Sequence, residues 1–371
     1  MLRALFWGSS ALIAYAHAGY PALLWLLARA RTTPEPAPGL SEPPSVSLIV
    51  AAYDEEDVIA AKVENALSLD YPRERLELIV ASDGSSDGTV ARARAAGADV
   101  VLDLPRGGKI RAQDEAVRRA RGELLAFSDA NSTWQPDALR RLVAPLSDPG
   151  VGYVCGQVSF TSEHGANQEG AYWRYEMAVR ALESSLGGVT AGNGAIYAVR
   201  REAYLFVDPR MGHDLSLPFN IVKRGRRAVY EPTARAREKM VPSIDGEFRR
   251  KRRMMSHAWP IVLRGGMLSP RGYGLVYALE IASHRLLRYL TPALHLAALA
   301  SSAGLRRRGA VYALALWAQV ALIAAAALGG PARPLRLARY YVLVTAAPAA
   351  GLWDWLRTGT PAGWEKPEGT R

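Results

Sequence analysis

Three clusters of acidic and polar residues have the types and spacing to bind a phosphorylated ligand. Asp129 and Asn131 stand two residues apart, so in an extended segment their side-chain oxygens lie on the same side and suit a divalent cation that bridges a diphosphate. Asp83 offers a carboxylate that can accept hydrogen bonds from a nucleobase imide. Asp54 and Glu55 form the third cluster. Each cluster by itself is also compatible with a turn or a helix cap.

A second group of residues suits a ligand that carries a hydroxyl group. Gly192, Asn193 and Gly194 permit close approach of the backbone to a ligand, and they are equally compatible with a tight turn. Asp214 precedes an apolar helical stretch, where it acts either as a general base for a hydroxyl or as a helix cap. His213 either orients that base or is an ordinary loop residue.

Cationic residues near these clusters could contact phosphate groups. Lys109 follows two glycines, whose flexible backbone suits a phosphate, although a solvated surface lysine has the same sequence pattern. Arg250 and Arg253 belong to the basic run 249–253. Such a run is typical of a solvated or membrane-facing amphipathic helix, or of a clamp on a leaving diphosphate.

The elements that must position these residues are predicted to alternate between strands and helices. Short apolar runs predict buried strands over 46–52, 76–81, 100–102 and 124–127, with helical stretches between them. The first of these helical stretches is predicted to open at 53–56 and to run through Leu67. This alternation predicts a mostly parallel sheet, in which ligands bind beyond the carboxyl ends of the strands. The clusters at 54–55, 83–87 and 129–131 all fall at such ends. Further helical stretches are expected over 168–186 and 215–222.

Apolar segments at both ends of the chain predict membrane spans. Residues 4–28 carry no charge and continue past 16–18, a possible signal-peptide cleavage site, which favours an uncleaved anchor. Arg29 and Arg31 follow, which favours a cytosolic location for what comes next. Further spans are predicted over 289–305 and 311–330, with a shorter candidate over 340–353, where Pro348 interrupts the run.

Composition narrows the class of protein. The net charge is +11, but Lys and Arg are not gathered into one stripe with a reader motif, so we expect no nucleic-acid partner. The distribution suits the cytosolic face of an anionic bilayer. Cys155 is the single cysteine of the sequence, which excludes a disulfide within the chain and fits a reducing compartment. The predicted organisation is an N-terminal membrane helix (1–30), a proline-rich linker (31–44), a cytosolic domain (45–247), interfacial amphipathic helices (248–284), C-terminal membrane helices (285–355) and a tail (356–371).

Taken in order, these segments resemble the family-2 glycosyltransferases of the membrane-bound bacterial type. The resemblance runs from Ser45 to Trp259 and is closest over 69–72 and 82–89. Residues 127–131 look like the metal-binding Asp-x-Asp motif, with Asn131 in place of the second carboxylate. Two departures stand out. His213 occupies a position that is usually acidic, and 250–254 lacks the Gln and Trp of the Gln-x-x-Arg-Trp motif found in processive members.

The resemblance implies a fold, a set of roles and an activity. The expected fold is the α/β GT-A nucleotide-diphospho-sugar transferase fold, with a mostly parallel mixed sheet and flanking transmembrane helices. Asp214 is implied to be the catalytic base, and Asp129 with Asn131 to hold Mg²⁺ or Mn²⁺. The residues implied to bind the acceptor are Gly192, Asn193 and Gly194. Those implied to bind the donor are Tyr53, Glu55, Asp83, Lys109, Asp129, Arg250 and Arg253, with Asp83 on the uracil.

The implied activity is inverting transfer of a sugar from a nucleotide-sugar, a UDP-sugar, to a lipid-linked or growing polysaccharide acceptor in cell-surface glycan synthesis. The absence of the Gln and Trp favours addition of one sugar over processive synthesis. The implied location is the inner membrane, with the catalytic domain in the cytosol, where nucleotide sugars are found. The alternative is a non-catalytic membrane partner in a polysaccharide assembly complex.

Overall fold

The computed structural model describes residues 1–30, 42–161, 168–239, 241 and 243–360. Most of the predicted proline-rich linker and the end of the predicted tail lie outside these ranges. The described strands are β1 (Val46–Ala52), β2 (Leu76–Asp83), β3 (Val100–Leu104), β4 (Leu124–Asp129), β5 (Thr133–Trp134), β6 (Val151–Thr161), β7 (Tyr197–Arg200) and β8 (Arg227–Lys239).

The helices alternate with the strands in the first part of the chain and follow one another afterwards. They are α1 (Leu2–Ala14), continued through a π-helical turn (Tyr15–Gly19) into α2 (Tyr20–Arg29), then α3 (Ile59–Leu67), α4 (Thr89–Ala95), α5 (Lys109–Arg119), α6 (Ala138–Val143), α7 (Gln168–Leu186), α8 (His213–Lys223), α9 (Ile244–Leu263), α10 (Leu275–Glu280), a second π-helical segment (Ile281–Leu287), α11 (Thr291–Leu305), α12 (Ala310–Leu328) and α13 (Arg333–Thr358).

The strands form one sheet in the order β3-β2-β1-β4-β7-β6-β8-β5. The pairs from β3 to β4 are parallel, whereas β7 runs antiparallel to both of its neighbours, so the sheet is mixed as expected. Every residue of β1 is buried, because helices cover both faces of the parallel half. On one face lie α3, α4 and α6, and on the other lie α5 and α8.

All four predicted strands are present, and the predicted helices at 168–186 and 215–222 correspond to α7 and α8. One boundary was wrong. The sequence predicted a helix that opens at the acidic cluster after β1, but α3 begins only at Ile59. The carbonyl of Glu55 accepts hydrogen bonds from the amides of Val58 and Ile59, so the intervening residues form a turn. Asp54 lies in this turn with a left-handed φ of 48°.

Two helices in the described part of the chain are long and apolar enough to cross a bilayer, by length and composition alone. They are Leu2–Arg29 and Ala310–Leu328, which correspond to the predicted spans at 4–28 and 311–330. The other two predicted spans fall short of this criterion. The segment 289–305 forms α11, which has 15 residues against the ~20 needed to cross a bilayer.

The remaining candidate span, 340–353, belongs to α13, which packs along α9. Asp354 of α13 accepts two hydrogen bonds from Arg252 of α9, at 2.6 and 2.5 Å. The backbones also touch, since a Cβ on Gly351 would lie 2.6 Å from Cβ of Met255. At the other end of α13, Arg339 pairs with Asp245 at 2.8 Å. The helix therefore supports α9 along its length.

Candidate active site

The sheet register brings all three predicted acidic clusters to one edge. Ala51 of β1 is paired with Asp129 of β4, and Ala52 is paired with Ser82 of β2. Because these strands are parallel and end together, the residues that follow them lie side by side. The clusters at 54–55, 83–87 and 129–131 therefore converge, as the sequence predicted.

Asp83 is held by the loop that follows β3. Its side chain is buried and accepts hydrogen bonds from the amides of Gly107 (2.6 Å) and Gly108 (2.9 Å), and from Arg106 (3.0 Å). The guanidinium of Arg106 lies 3.2 Å from the ring centroid of Tyr53. The sequence prediction missed Arg106, which gave no motif signal. Gly108 has φ 97°, a backbone conformation that favours glycine.

Glu55 is buried in the turn after β1, where its amide donates to the hydroxyl of Thr89 at 2.8 Å. It does not line the cavity described below, and neither do Tyr53, Asp83 and Asn131. The other predicted site residues do share that cavity. It has a volume of about 450 Å³, and its wall includes Lys109, Asp129, Gly192, Asn193, Gly194, Asp214, Arg250 and Arg253.

Lys109 and Asp129 form an ion pair at the floor of this cavity. Lys109 is the first residue of α5 and Asp129 the last of β4, so two secondary-structure elements present the pair. Gly194 lies directly against it. A Cβ built on Gly194 would be 3.3 Å from Nζ of Lys109 and 3.7 Å from Oδ2 of Asp129. The segment predicted to bind the acceptor therefore touches the residues predicted to bind the donor.

The segment from Gly192 to Gly194 is fixed by hydrogen bonds to several elements. The amide of Gly192 donates to the carbonyl of Asp214 (2.7 Å), and its carbonyl accepts from Arg180 of α7 (3.1 Å). The side chain of Asn193 donates to the carbonyl of Gly156 (2.7 Å) and accepts from the amide of Ile196. Asn193 is buried and both ends of its amide group are hydrogen-bonded within the protein, so its side chain fixes the shape of the loop.

Gly192 leaves no room for a side chain. A Cβ there would lie 1.9 Å from the hydroxyl oxygen of Tyr153, a buried side chain on β6. We therefore expect Gly192→Ala to destabilise the protein by about 1–3 kcal/mol and to displace the loop. The measurements are the loss in thermal unfolding midpoint and the loss of amide protection in the loop, read by hydrogen exchange. The double variant Gly192→Ala/Tyr153→Phe removes the clashing oxygen and should recover part of both losses, whereas no recovery would contradict this explanation.

His213 lies in a buried chain of hydrogen bonds that runs from Tyr197 to Asp114. The hydroxyl of Tyr204 donates to Asp114 at 2.7 Å, so it accepts from Nε2 of His213 at 3.2 Å. The other ring nitrogen, Nδ1, then accepts from the hydroxyl of Tyr197 at 3.0 Å. This chain fixes the neutral Nε2–H tautomer. Burial, with a smaller effect from Lys109, lowers the pKa of His213 to about 3.

A neutral, buried His213 predicts acid instability. The unfolded chain binds a proton below the ordinary histidine pKa of about 6.5, whereas the folded protein does so only near pH 3, so stability falls as the pH decreases between these values. The free energy of unfolding falls by up to about 5 kcal/mol as the pH approaches 3. We expect His213→Gln to flatten the dependence of the unfolding midpoint on pH between 7 and 4.

The control for this prediction is Asp114, whose pKa burial raises to about 6. Its protonation favours the folded state, so its contribution is present at low pH and is lost as the pH rises through about 6. In Asp114→Asn, the unfolding midpoint should therefore fall more steeply as the pH decreases. An unfolding midpoint of His213→Gln that falls with pH as steeply as that of the wild type would contradict the assignment.

Asp214 lies in the first turn of α8, directly after His213. Burial raises the pKa of its carboxyl, while the positive charge of Lys109 acts in the opposite direction. A carboxylate with a raised pKa is a stronger proton acceptor than one in water. The packing of His213 fixes the start of α8, so the carboxyl of Asp214 is presented to the cavity by a rigid element.

The basic helix α9 forms a further part of the cavity wall. Glu247 is buried and pairs with both Arg250 (2.6 Å) and Lys251 (3.0 Å). Arg250 and Lys251 line the cavity together with Arg253. The basic run at 249–253 is therefore an ordered wall, held from behind by α13.

The residues near Asp129 suit a divalent cation only in part. Within the described ranges there is no group of three or more His, Cys, Asp and Glu side chains that could hold a metal. Asp129 supplies one carboxylate, and Asn131 adds an amide oxygen two residues away. This is the donor set of a cation that completes its coordination with substrate phosphates and water, as Mg²⁺ does.

Comparison with known proteins places this site in a family. Residues 43–256 match a family model described as "Glycosyltransferase like family 2". The mannosyltransferase PcManGT from Pyrobaculum calidifontis, solved in complex with GDP-Man and Mn²⁺, covers 96% of this chain with a TM-score of 0.73 and 25% identity, over 99% of its own length. These findings confirm the expected GT-A fold class.

Curated relatives are similar over shorter stretches. Glycosyltransferase AglE from Haloferax volcanii is 30% identical over 35% of this chain, and a beta-monoglucosyldiacylglycerol synthase from Synechocystis is 31% identical over 45%. An N-acetylglucosaminyltransferase from Sinorhizobium fredii is 26% identical over 65%. The chain covers 44%, 39% and 63% of the lengths of these relatives.

Proposed function

Because the chain belongs to glycosyltransferase family 2, we propose that it transfers a sugar, with inversion, from a nucleoside diphosphate sugar to a lipid-linked acceptor. The observation that carries this proposal is the shared cavity. Its floor presents Asp129 and Lys109 to a donor, and its wall presents Asp214 to an acceptor. A pocket that holds both reactants supports direct transfer between them.

In the proposed reaction the bond between the anomeric carbon and the diphosphate breaks while a bond to the acceptor oxygen forms. Asp214 takes the proton of the acceptor hydroxyl. Mg²⁺ or Mn²⁺ held by Asp129 and Asn131 would neutralise charge on the leaving diphosphate. Arg250 and Arg253 add positive charge from the wall formed by α9. The neighbour solved with Mn²⁺ supports a divalent metal of this kind.

The nucleotide is proposed to bind at the edge formed by Tyr53, Glu55 and Asp83. The ring of Tyr53 beneath Arg106 and the buried carboxylate of Asp83 offer stacking and hydrogen bonding to a base. The family resemblance favours uracil, whereas the mannosyltransferase neighbour was solved with GDP-Man. Both UDP-sugars and GDP-mannose are therefore the first donors to test.

The acceptor is proposed to be lipid-linked because the cavity extends to the elements that lead into the apolar helices. Met255, Ala258 and Ile261 of α9 line it, and so does Tyr289, which precedes α11. The acceptor sugar would then lie between Asp214 and the segment of Gly192 to Gly194. The similarity to a beta-monoglucosyldiacylglycerol synthase supports a lipid acceptor.

The two apolar helices support a membrane location, with residues 45–247 forming a cytosolic catalytic domain in an inner-membrane protein. Residues 248–284, which include α9, would then lie at the interface between membrane and water. There α9 also contacts the rest of the protein. A cytosolic domain has access to nucleotide sugars. Of the proposed C-terminal membrane region 285–355, α12 is the part that qualifies as a span.

The test is release of nucleoside diphosphate by the purified protein in lipid nanodiscs with Mn²⁺ or Mg²⁺. UDP-sugars and GDP-mannose are supplied as donors, and a total lipid extract or soluble oligosaccharides as acceptors. Release that depends on metal, donor and lipid extract is the expected result. If no donor gives release above a protein-free control, the proposal fails and a non-catalytic partner in a glycan assembly complex becomes the better explanation.

A further inference from the structure

A chain of hydrogen bonds joins the N-terminal apolar helix to the loop that faces Asp214. The hydroxyl of Tyr20 on α2 donates to Oε1 of Glu183 on α7 at 2.7 Å. The other carboxylate oxygen, Oε2, accepts from the hydroxyl of Thr190 at 3.1 Å. His284, in the π-helical segment before α11, lies 2.6 Å from Oε1. Three separate parts of the chain thus meet at one carboxylate.

Glu183 is completely buried, with no exposed surface. Burial by itself would raise its pKa, but His284, Arg285 and the hydrogen bond from Tyr20 outweigh that effect and lower it. A buried carboxylate is costly unless its oxygens are hydrogen-bonded, so its partners are held in fixed positions.

The loop that Glu183 reaches continues directly into the proposed acceptor site. Arg285 donates to the same Thr190 hydroxyl at 2.8 Å, and Tyr277 donates to the carbonyl of Val189 at 3.1 Å. Two residues further on, the amide of Gly192 is bonded to the carbonyl of Asp214. A shift at Thr190 is therefore transmitted to the backbone against which the acceptor would lie.

We infer that Tyr20 and Glu183 are positioning residues for the acceptor, and that the N-terminal helix is a working part of the active site as well as an anchor. This inference rests on the proposed function for the role of the loop. The donor side, formed by Asp129 and Lys109, lies on β4 and α5, whereas Tyr20 and Glu183 lie on α2 and α7. Loss of the Tyr20 hydroxyl should thus raise the KM for the acceptor more than the KM for the donor.

The test compares Tyr20→Phe, Thr190→Val and the double variant in the full-length protein in nanodiscs. Each single variant removes a hydrogen bond to a carboxylate, and we expect the acceptor KM to rise about ten-fold while the donor KM changes less than about two-fold. Because Tyr20 and Thr190 both act through Glu183, their effects should not be additive. The change in the double variant, expressed as a free energy from the acceptor KM, should be smaller than the sum of the changes in the two single variants. Thr190→Ser keeps the hydroxyl, so this variant should have the acceptor KM of the wild type.

Tyr175→Phe is the matched control. Its hydroxyl also joins α7 to the N-terminal helix, through the carbonyl of His17 at 3.0 Å, but it does not reach Glu183. The inference is overturned if Tyr175→Phe raises the acceptor KM as much as Tyr20→Phe does, if Tyr20→Phe leaves that KM unchanged, or if the two single effects add fully.

Hydrogen exchange provides a readout that needs no substrate. In Tyr20→Phe, the amides of residues 187–194 should exchange faster than in the wild type, while those of β1 remain protected. Unchanged exchange in the loop would also overturn the inference. If the wild type releases no nucleoside diphosphate, the proposed function fails, and loop exchange still decides whether Tyr20 positions this loop.

Discussion

Replacement of Asp214 by asparagine is expected to lower the rate of sugar transfer about 1,000-fold while leaving donor affinity unchanged. The substitution keeps the shape of the side chain but removes its ability to accept a proton. His213 and its tyrosine partners remain in place, so α8 should keep its position. The proposed donor contacts, Asp129 and Lys109, are carried by other elements, β4 and α5.

Single-turnover transfer and equilibrium binding of the nucleoside diphosphate separate these two effects. Asp208→Asn is the matched control, since Asp208 lies six residues earlier and pairs with Arg210 at 2.6 Å. It should retain the wild-type rate. Because burial raises the pKa of Asp214, the wild-type rate should fall as the pH drops through that raised value. A transfer rate of Asp214→Asn within about ten-fold of the wild type would exclude Asp214 as the base.

Replacement of Asp129 by alanine should abolish metal-dependent transfer, with a loss of about 1,000-fold or more. Asp129 is the single carboxylate of the proposed donor set, and its loss leaves only the amide oxygen of Asn131 among the proposed protein ligands. The ion pair with Lys109 is lost as well. The same loss is expected when EDTA removes metal from the wild type, and added Mn²⁺ should restore activity only in the wild type.

Two variants sharpen this result. Asn131→Asp restores the second carboxylate of the Asp-x-Asp pattern and should lower the Mn²⁺ concentration for half-maximal activity about ten-fold. Asp137→Asn is the neutral control, because that residue is paired with Arg141 at 2.6 Å on the surface. If Asp129→Ala retained an unchanged response to Mn²⁺, the metal would have to bind elsewhere.

The parallel half of the sheet was predictable because local sequence determines it. Runs rich in valine, isoleucine and leucine mark strands that are buried on both faces, as in β1. The polar residues after each run then had to meet at one edge. Asp129 was identified from such a position, Lys109 from the two glycines before it, and Asp214 from its place before a helical stretch. All three line one cavity.

Contacts between distant parts of the chain were not predictable from local pattern. Tyr20 and Glu183 are 163 residues apart in sequence, and nothing near either one indicates the other. Arg106 gave no signal, because a single arginine after a strand reads as a surface residue. Apolar composition suggested a span at 340–353. The charged residues on either side of this segment, Arg339 and Asp354, pair instead with Asp245 and Arg252 of α9. The roles of all the predicted site residues remain predictions. Four of these residues lie outside the cavity that the others line, namely Tyr53, Glu55, Asp83 and Asn131.

The packing of α13 against α9 has a consequence for the order in which the protein becomes active during its synthesis. The ribosome makes about 5–20 residues per second, so α13 is completed roughly 5–20 s after α9. During that interval the sheet can fold, but the basic wall of the cavity lacks the helix that supports it. A nascent chain would thus fold the sheet before it completes the cavity, and the sugar transfer proposed above would begin only after α11 and α12 had also been made.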